Sequence, residues 1–192
     1  MNDCCVKTGS VSDKPLFESS APKRVAEFEK VCLLTYLSAH TKLYGAGKYT
    51  NGQILASHAE IKLPKRATAG SAGYDFYADK DYVIPPGGCC VITTGVCCRI
   101  ADGWFLMLVP RSGMGFNYGV RLSNTAGIID SDFVDGDTHG HILVKMVNHD
   151  HDETILIYRG DRFCQGILLP YGITVSDDAT DERMGGCGST GV

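Results

Sequence analysis

Five short polar segments interrupt the apolar runs of this 192-residue chain, and each carries side chains suited to chemistry on an anion. They span residues 70–78, 110–113, 124–133, 160–165 and 183–192. The second joins an arginine to a serine, the third contains two carboxylates, and the fifth combines an arginine with glycines and hydroxyls. Guanidinium, hydroxyl and backbone N–H groups bind phosphate oxygens, and a carboxylate can deprotonate water. The pattern suggests that the chain handles a small phosphate compound.

Taken singly, each segment also has a purely structural explanation. Asp75 lies between aromatic residues that should be buried, so it needs a fixed partner, and Arg162 could form that ion pair. Asp130 could cap a turn, and residues 110–113 could be an ordinary β-turn. A glycine-rich chain end is often simply disordered. The order of the five segments along the chain, rather than any single segment, is therefore the evidence for a function.

The ordered set of five resembles the motifs of the trimeric all-β deoxyuridine triphosphate nucleotidohydrolases, or dUTPases. The resemblance covers about residues 61–192 and is strongest to the bacterial and phage branch, which carries a longer segment after the third motif, here 134–141. It implies a jelly-roll or β-clip barrel that hydrolyses dUTP to dUMP and pyrophosphate, which keeps uracil out of DNA and supplies dUMP for thymidylate synthesis.

The resemblance also implies a role for each site residue. Asp130 would activate the attacking water, and Mg²⁺ would be held by the phosphates and water rather than by the protein. The implied phosphate-binding residues are Arg111, Ser112, Gly113, Gln165, Arg183, Gly188, Ser189 and Thr190. The implied uracil and deoxyribose residues are Asn124, Gly127, Ile129 and Phe133, with Asp75 and Asp132 in support. Asp75 is expected to position Arg183, and Asp161 and Arg162 are expected to hold subunits together.

Two residues depart from the family pattern. Phe133 replaces a tyrosine that packs under deoxyribose, and Cys187 replaces a phenylalanine that stacks on uracil. We expect dUTP to remain preferred over UTP, and substrate binding to be weaker than in the family. In that family each active site combines the second motif of one subunit, the third motif of a second subunit and the C-terminal arm of the remaining subunit. The chain is therefore expected to act as a homotrimer.

Around the motifs, the hydrophobic pattern predicts an all-β unit over residues 61–175 and a C-terminal arm over 176–192. Short β-branched and aromatic runs separated by turn residues indicate strands at 82–84, 89–100, 104–109, 141–147, 154–158 and 163–169. Residues 124–133 should form a hairpin. Residues 1–60 are interpreted as an extension with a flexible start, one amphipathic helix over about 22–44 and a connector over 45–60.

Composition limits the partners and the compartment. The chain has 18 basic and 22 acidic residues and no basic stripe, which disfavours a nucleic-acid duplex as partner. No apolar run is long enough for a membrane span and no signal peptide is recognisable, so a cytoplasmic protein is expected. The nine cysteines include adjacent pairs, which suit small buried side chains better than disulfides or zinc.

Two alternative functions remain open on sequence. A dCTP deaminase shares the barrel and the Arg-Ser segment, but that family places a glutamate on the strand that follows Asp130, and residues 141–147 contain none. A non-catalytic or regulatory dUTPase-like protein is suggested by the N-terminal extension, Phe133 and Cys187. The charged residues of all five motifs argue against a disused site.

Overall fold

A computed structural model of the chain describes residues 21–183 and Gly185. The strands are β1 Ala26–Lys30, β2 Lys65–Arg66, β3 Tyr74–Tyr77, β4 Tyr82–Ile84, β5 Cys89–Thr93, β6 Val96–Ile100, β7 Trp104–Pro110, β8 Val120–Leu122, β9 Gly127–Ile129, β10 Leu143–Asn148, β11 Ile155–Ile157 and β12 Arg162–Pro170. The helices are α1 Leu33–Tyr44, α2 Asn51–Ala59, α3 Ser112–Tyr118 and a 3-10 helix at Ser131–Asp135. None of these described helices is long and apolar enough to cross a bilayer. The expected all-β fold is confirmed.

A five-stranded sheet in the order β2-β3-β12-β7-β9 is the main frame of the barrel. Along β7, Leu106 and Leu108 are buried while Phe105 and Met107 are half-buried, as the two-residue period of a strand requires. A three-stranded sheet, β5-β10-β8, and two strand pairs, β1-β6 and β4-β11, complete the structure. All pairings are antiparallel, and six strand positions expected from the sequence are confirmed.

The third segment does not form a simple hairpin. Strands β8 and β9 flank the turn at 123–126, but β8 pairs with β10 and β9 pairs with β7. Thr125 adopts a φ of 65° in this turn, and its backbone N–H donates to the carbonyl of Leu122 at 3.1 Å. The turn therefore joins two different sheets, and the expected hairpin is corrected to a crossover between them.

The N-terminal extension differs from the expected single helix over 22–44. Residues Ala26–Lys30 form β1, which pairs along its whole length with β6, and the helix α1 begins only at Leu33. Phe28 fits a helical spacing in the sequence, yet its ring packs against Tyr74 at 5.2 Å and Phe76 at 5.6 Å. Pairing to the open edge of β6 outweighs local helical periodicity here.

The segment expected to be a connector contains a second helix. α2 begins with a reciprocal capping arrangement, in which Thr50 Oγ1 accepts from the backbone of Gln53 and Gln53 Oε1 accepts from the backbone of Thr50. Ile54 of α2 and Tyr36 of α1 are buried in the same hydrophobic core as the barrel strands. The extension is therefore packed as part of the barrel core.

A buried polar cluster fastens the extension to the barrel. The carboxylate of Asp79 is 4% exposed and accepts hydrogen bonds from the hydroxyls of Tyr36, Tyr82 and Thr93. Nε2 of His40 lies 3.5 Å and Nζ of Lys80 lies 3.8 Å from Oδ2 of this carboxylate. Burial alone would raise the pKa of Asp79, but hydrogen bonds and the charge of Lys80 bring the pKa down to about 2. The carboxylate is thus charged and fully partnered.

Six cysteines fall among the described residues, and all six are free thiols. Cys97, Cys98 and Cys164 are buried as small hydrophobic side chains, which confirms that part of the expectation. Cys89, by contrast, is exposed, because the first residue of β5 lies at the edge of the core.

We predict that His141 makes unfolding pH-dependent. Burial lowers the pKa of its imidazole from 6.5 to about 4, against a raising effect of Asp79 and with smaller lowering effects of His40 and His58. Between these two pH values the unfolded chain binds a proton that the folded chain does not, so acidification should lower the free energy of unfolding by roughly 3 kcal/mol. The pKa of Asp79 is about 2 in the folded chain, so the stability that Asp79 contributes is lost mainly at lower pH than that of His141. Urea unfolding at pH 7 and pH 4 tests this, and His141→Gln should flatten the difference. An equal difference in that variant would contradict the assignment.

Candidate functional site

The first group of predicted site residues lies where β7, β3 and β12 meet, and we call Asp75, Arg111, Arg162 and Gln165 the arginine cluster. Asp75 is 7% exposed; its Oδ1 is 2.8 Å from Arg111 Nε and its Oδ2 is 3.2 Å from Arg162 Nη1. Gln165 stands opposite Asp75 on the neighbouring strand and donates from Nε2 to the carbonyl of Pro110 at 3.2 Å. One buried carboxylate therefore orients two guanidinium groups.

The contacts of Asp75 bear on two expectations from the sequence. An ion pair between Asp75 and Arg162 is confirmed. Within this chain Asp75 positions Arg111, and its expected role toward Arg183 of the arm stays a prediction. Asp161 and Arg162 also make contacts inside the chain instead of only at its surface: Asp161 Oδ2 accepts from the backbone of Tyr158 at 2.9 Å. The polar residues at the start of β12 thus shape the cluster itself.

The segment 110–113 is a strand end followed by a helix rather than a β-turn. Arg111 is extended, with φ −73° and ψ 145°, and precedes α3, of which Ser112 is the first residue. The two glycines of α3 weaken its helical signal in the sequence, which is why the helix was not expected. Ser112 and Gly113 are exposed beside Arg111. Arg111 itself, with Met114 and Tyr118 of the helix, lines an open groove.

That groove has a volume of about 560 Å³ and is lined by Arg111, Arg162, Tyr118 and Tyr158 among others. The two tyrosines were not among the predicted site residues. Tyr118 ends α3 and Tyr158 follows β11, so only the unexpected helix and the strand packing bring them together. A groove with two guanidinium groups and aromatic walls suits a phosphate compound that also carries a planar group.

The second group lies at the end of β9, and we call Asp130, Asp132, Phe133 and Arg183 the carboxylate cluster. Asp130 is extended between β9 and the 3-10 helix, and about half of its side chain is exposed. Arg183 Nη2 lies 2.6 Å from Asp130 Oδ2, and Arg183 Nε lies 2.8 Å from Asp132 Oδ1. The guanidinium also lies 5.7 Å from the ring centre of Phe133. One arginine thus bridges both carboxylates over an aromatic face.

The start of the C-terminal arm rests on the third motif. A Cβ atom on Gly136 would come within 2.8 Å of the carbonyl oxygen of Gly185, so glycine at 136 permits this approach. The predicted residues Gly188, Ser189 and Thr190, together with Cys187, lie outside the described residues.

The predicted uracil and deoxyribose residues surround the same cluster. Gly127 and Ile129 belong to β9 and are buried, with Gly127 close against Leu108. Asn124 is exposed in the preceding turn, where its carbonyl accepts from the backbone of Ala126 at 2.6 Å. Phe133 is 4% exposed. This side of the barrel therefore combines a polar turn with an apolar floor.

The two clusters are far apart within one chain. Ile129 pairs with Leu106, so Asp130 is level with Phe105, and Arg111 lies six residues further along the same line. At a strand rise near 3.3 Å per residue, this separates Arg111 from Asp130 by about 20 Å. The structure thus brings the predicted residues together as two groups rather than one.

We predict that Asp75→Asn destabilises the chain and weakens substrate binding. The substitution leaves both guanidinium groups without their charged acceptor, which should cost about 2 kcal/mol in the free energy of unfolding. We expect a higher KM for the substrate because Arg111 loses its fixed orientation. Urea unfolding and steady-state kinetics measure the two effects. Glu29→Gln, which breaks the exposed pair of Glu29 with Arg99 at 3.0 Å, is the matched control and should change little.

The fold and the two clusters define an all-β barrel protein that carries two arginines on one buried carboxylate at one place and one arginine on two carboxylates at another. The dUTPase family model matches residues 59–191. The chain belongs to the dUTPase family.

Its relatives are bacterial and phage proteins. The deoxyuridine 5'-triphosphate nucleotidohydrolases of Caulobacter vibrioides and Lactococcus lactis are 37% and 36% identical over 144 and 138 residues. These alignments cover 70% of this chain and 89% and 91% of the two relatives. The crystal structure of the dUTPase from Streptococcus mutans is 30% identical and has a TM-score of 0.58, over 77% of this chain and 97% of that chain. The dUTPase of Staphylococcus bacteriophage 80alpha, 20% identical with a TM-score of 0.53, shares the fold. The family suggested by the five motifs is confirmed.

Proposed function

We propose that this protein hydrolyses dUTP to dUMP and pyrophosphate. The observation that carries the proposal is the half-exposed carboxylate of Asp130, held in extended backbone beside Arg183, in a chain that belongs to the dUTPase family. The relatives from Caulobacter vibrioides and Lactococcus lactis bear the name of this activity. The reaction would keep uracil out of DNA and supply dUMP for thymidylate synthesis.

In the proposed mechanism, Asp130 orients a water molecule and takes its proton as the water attacks the α-phosphorus. Such attack needs alignment and charge neutralisation more than covalent chemistry from the protein. Arg111, Ser112 and Gly113 would hold phosphate oxygens, and Gln165 would donate to the α-phosphate. Arg183, with Gly188, Ser189 and Thr190, would hold the γ-phosphate. Before substrate binds, the contact between Arg183 and Asp130 neutralises both groups.

The base and sugar would be recognised at the carboxylate cluster. The amide of Asn124 can donate to and accept from one edge of uracil, whereas cytosine presents the opposite pattern there. Gly127 and Ile129 would form the wall beside the base. The buried ring of Phe133 would pack under deoxyribose, where a 2′-hydroxyl has no room. Asp132 would share Arg183 with Asp130.

The donor set fits a Mg²⁺ ion carried by the triphosphate. Among residues 21–183 and Gly185, no three His, Cys, Asp or Glu side chains are grouped as metal ligands. A hard cation that keeps most of its water needs few protein ligands, and phosphate oxygens suit it. When bound, Mg²⁺ would neutralise part of the triphosphate charge, which leaves Arg111 and Arg183 to orient the chain of phosphates.

The distance between the clusters supports a homotrimer with shared active sites. Because about 20 Å separates Arg111 from Asp130 along β7, one chain alone does not place both on the same α-phosphate. The outer face of the sheet is apolar, with Ile128 54% exposed and with Met107 and Phe105 half-buried beside it. Such a face suits contact with further copies of the chain. We propose that the arginine cluster of one subunit works with the carboxylate cluster of another.

The two alternatives are tested by the same assay. Strand β10 carries Lys145 and no glutamate that could activate water for deamination. A purely regulatory role would leave the arrangement of Asp130, Asp132 and Arg183 without a use. Purified protein with Mg²⁺ should release pyrophosphate from dUTP, much more slowly from UTP, and not from dCTP or dTTP. Ammonia from dCTP would indicate a deaminase, and binding of dUTP without pyrophosphate would indicate a regulatory protein.

We predict that Cys187→Phe lowers the KM for dUTP. A phenyl ring at this position can stack on uracil, and an aromatic pair of this kind contributes about 0.5–1.5 kcal/mol, or roughly a threefold to tenfold tighter substrate. Steady-state kinetics of the variant against the wild type measure the change. Cys187→Leu controls for added apolar volume without a ring. An unchanged or higher KM in Cys187→Phe would show that another aromatic side chain already covers the base.

A further inference from the structure

The backbone of Gly95 links the N-terminal extension to the segment that follows Asp130. Gly95 lies in the tight turn between β5 and β6 with a φ of 68°. Its carbonyl accepts from the backbone N–H of Val31 at 3.0 Å, at the end of β1. Its own N–H donates to Nε2 of His141 at 3.0 Å. One residue of the barrel is therefore bonded on one side to the extension and on the other to the segment 134–141 that follows the third motif.

The surroundings of Gly95 leave no room for a side chain. A Cβ atom there would overlap the side chain of Ile61 and come within 3.3 Å of the Tyr36 ring. Tyr36 is completely buried, and its hydroxyl donates to Asp79. The extension therefore packs the ring of Tyr36 against this turn, and the hydroxyl of that ring is hydrogen-bonded to the buried carboxylate of Asp79.

On its other side, His141 closes the loop that carries the carboxylate cluster. His141 is 2% exposed, and its backbone N–H donates to the carbonyl of Thr138 at 3.0 Å. The next residue, Ile142, donates to the carbonyl of Val96 at 2.9 Å. The preceding residue, Gly140, lies so close to Val134 that a Cβ atom would come within 2.9 Å of its methyl group. The loop is thus bonded to β6 at Ile142 and packed on Val134 at Gly140, and Val134 belongs to the 3-10 helix that begins directly after Asp130.

The imidazole of His141 is bound at one nitrogen only. Nε2 accepts from Gly95, so this nitrogen carries no proton, and Nδ1 is buried without a hydrogen-bond partner among the described residues. Leaving a buried polar atom unpaired costs free energy, and core packing alone would be better served by an apolar side chain. The hydrogen bond to Gly95 is the contact that a nonpolar residue could not replace.

We infer that His141 is a positioning residue for Asp130, and that the N-terminal extension, most of which lies outside the matched dUTPase segment, sets its placement through Tyr36 and Gly95. The inference rests on the proposed dUTP hydrolysis for its kinetic consequence only. His141 touches neither the substrate nor the water. It acts by holding the loop from Val134 to Ile142 against β6, which keeps the half-exposed Asp130 carboxylate in line with the α-phosphate.

The first test compares His141→Phe with His141→Gln. Phenylalanine keeps the volume and loses the acceptor, whereas the glutamine side-chain carbonyl can still accept from Gly95. We expect His141→Phe to lower kcat for dUTP about tenfold or more with little change in KM, because a small misplacement of a reacting group is costly. His141→Gln should recover most of the rate. His151→Phe, at an exposed loop, is the matched control. Wild-type kcat in His141→Phe would overturn the inference.

A second readout does not depend on catalysis. Hydrogen exchange of residues 130–142 should become faster in His141→Phe, while exchange of β12 stays as in the wild type. Tyr36→Phe, which removes only the hydroxyl that binds Asp79, should speed exchange in the same segment, and Tyr49→Phe in the same extension should not. Uniform acceleration over the whole barrel, or none at 130–142, would overturn the inference. A wild-type protein without dUTP turnover would refute the proposed function, and the exchange result would still decide the role of His141.

Discussion

Asp130→Asn is expected to lower the kcat for dUTP hydrolysis by roughly 10²- to 10⁴-fold, which is the range that a general base contributes. Asparagine has nearly the same shape and still binds water, but it cannot take a proton. The KM should change little, because the phosphates are held by Arg111 and Arg183. Pyrophosphate release with Mg²⁺ and saturating dUTP measures the effect.

Asp132→Asn is the matched control for this substitution. Both carboxylates are about half exposed, and both bind Arg183, at 2.6 Å and 2.8 Å. If Asp130 acts as the base, only its loss should abolish turnover, and Asp132→Asn should retain activity within a few fold. If the two carboxylates matter only as partners of Arg183, the two variants should be impaired alike. Full turnover in Asp130→Asn would refute the proposed mechanism.

The sequence is most informative about the site where chemistry restricts residue types. The five motifs identify Asp130, Arg111 and Gln165, and their chain order identifies the family. They do not say which chains supply the residues to one site, because a motif has no position in space. The strand register adds only the separation within one chain, because it places Ile129 beside Leu106, far from Arg111 along β7.

The strands of the barrel are predictable because each buries one face, and the two-residue period is strong in runs such as Trp104–Pro110. The strand of the N-terminal extension is not predictable from the sequence, for a physical reason. Val25, Phe28, Val31 and Cys32 have a spacing that also suits a helix, and the open edge of β6 decides the outcome in favour of a strand. That edge is about 70 residues away in the sequence, as the Glu29–Arg99 pair illustrates, so local periodicity carries no trace of it.

Buried polar residues show the same limit. Asp79 lies 43 residues from Tyr36 in the sequence, yet it forms one partnered cluster in the core with Tyr36 and His40 of α1. Their hydrogen bonds are made only once α1 packs on the barrel. A buried charge of this kind is stable only when all its hydrogen-bond and charge partners are in place. The fold, and not the local sequence, brings these partners together.

Mixed trimers of two inactive variants are expected to recover dUTP hydrolysis. If one subunit supplies the arginine cluster and another the carboxylate cluster, a site is intact when an Asp130→Asn chain provides Arg111 and an Arg111→Ala chain provides Asp130. In a cyclic trimer that contains both chains, about one site in three is of this kind, so the mixed trimers should approach a third of the wild-type activity. Sites contained within one chain would show no recovery. Co-expression with two different affinity tags, followed by tandem purification, isolates the mixed trimers for the assay.

The informative control combines two variants of the same motif. Asp130→Asn and Asn124→Ala both fall on the third motif, within the segment that joins β8 through β9 to the 3-10 helix. A site built from one subunit's third motif can then never carry both wild-type residues, however the chains assemble. These mixed trimers should therefore stay as inactive as their parents, although their mass and stability match those of the complementing pair. Recovery in both mixtures would show that Asn124 and Asp130 can also serve one site from different subunits, whereas recovery in neither would show that each site is contained within one chain. Recovery in the first mixture alone would leave the separation of about 20 Å along β7 with one explanation, a catalytic centre that exists only between subunits.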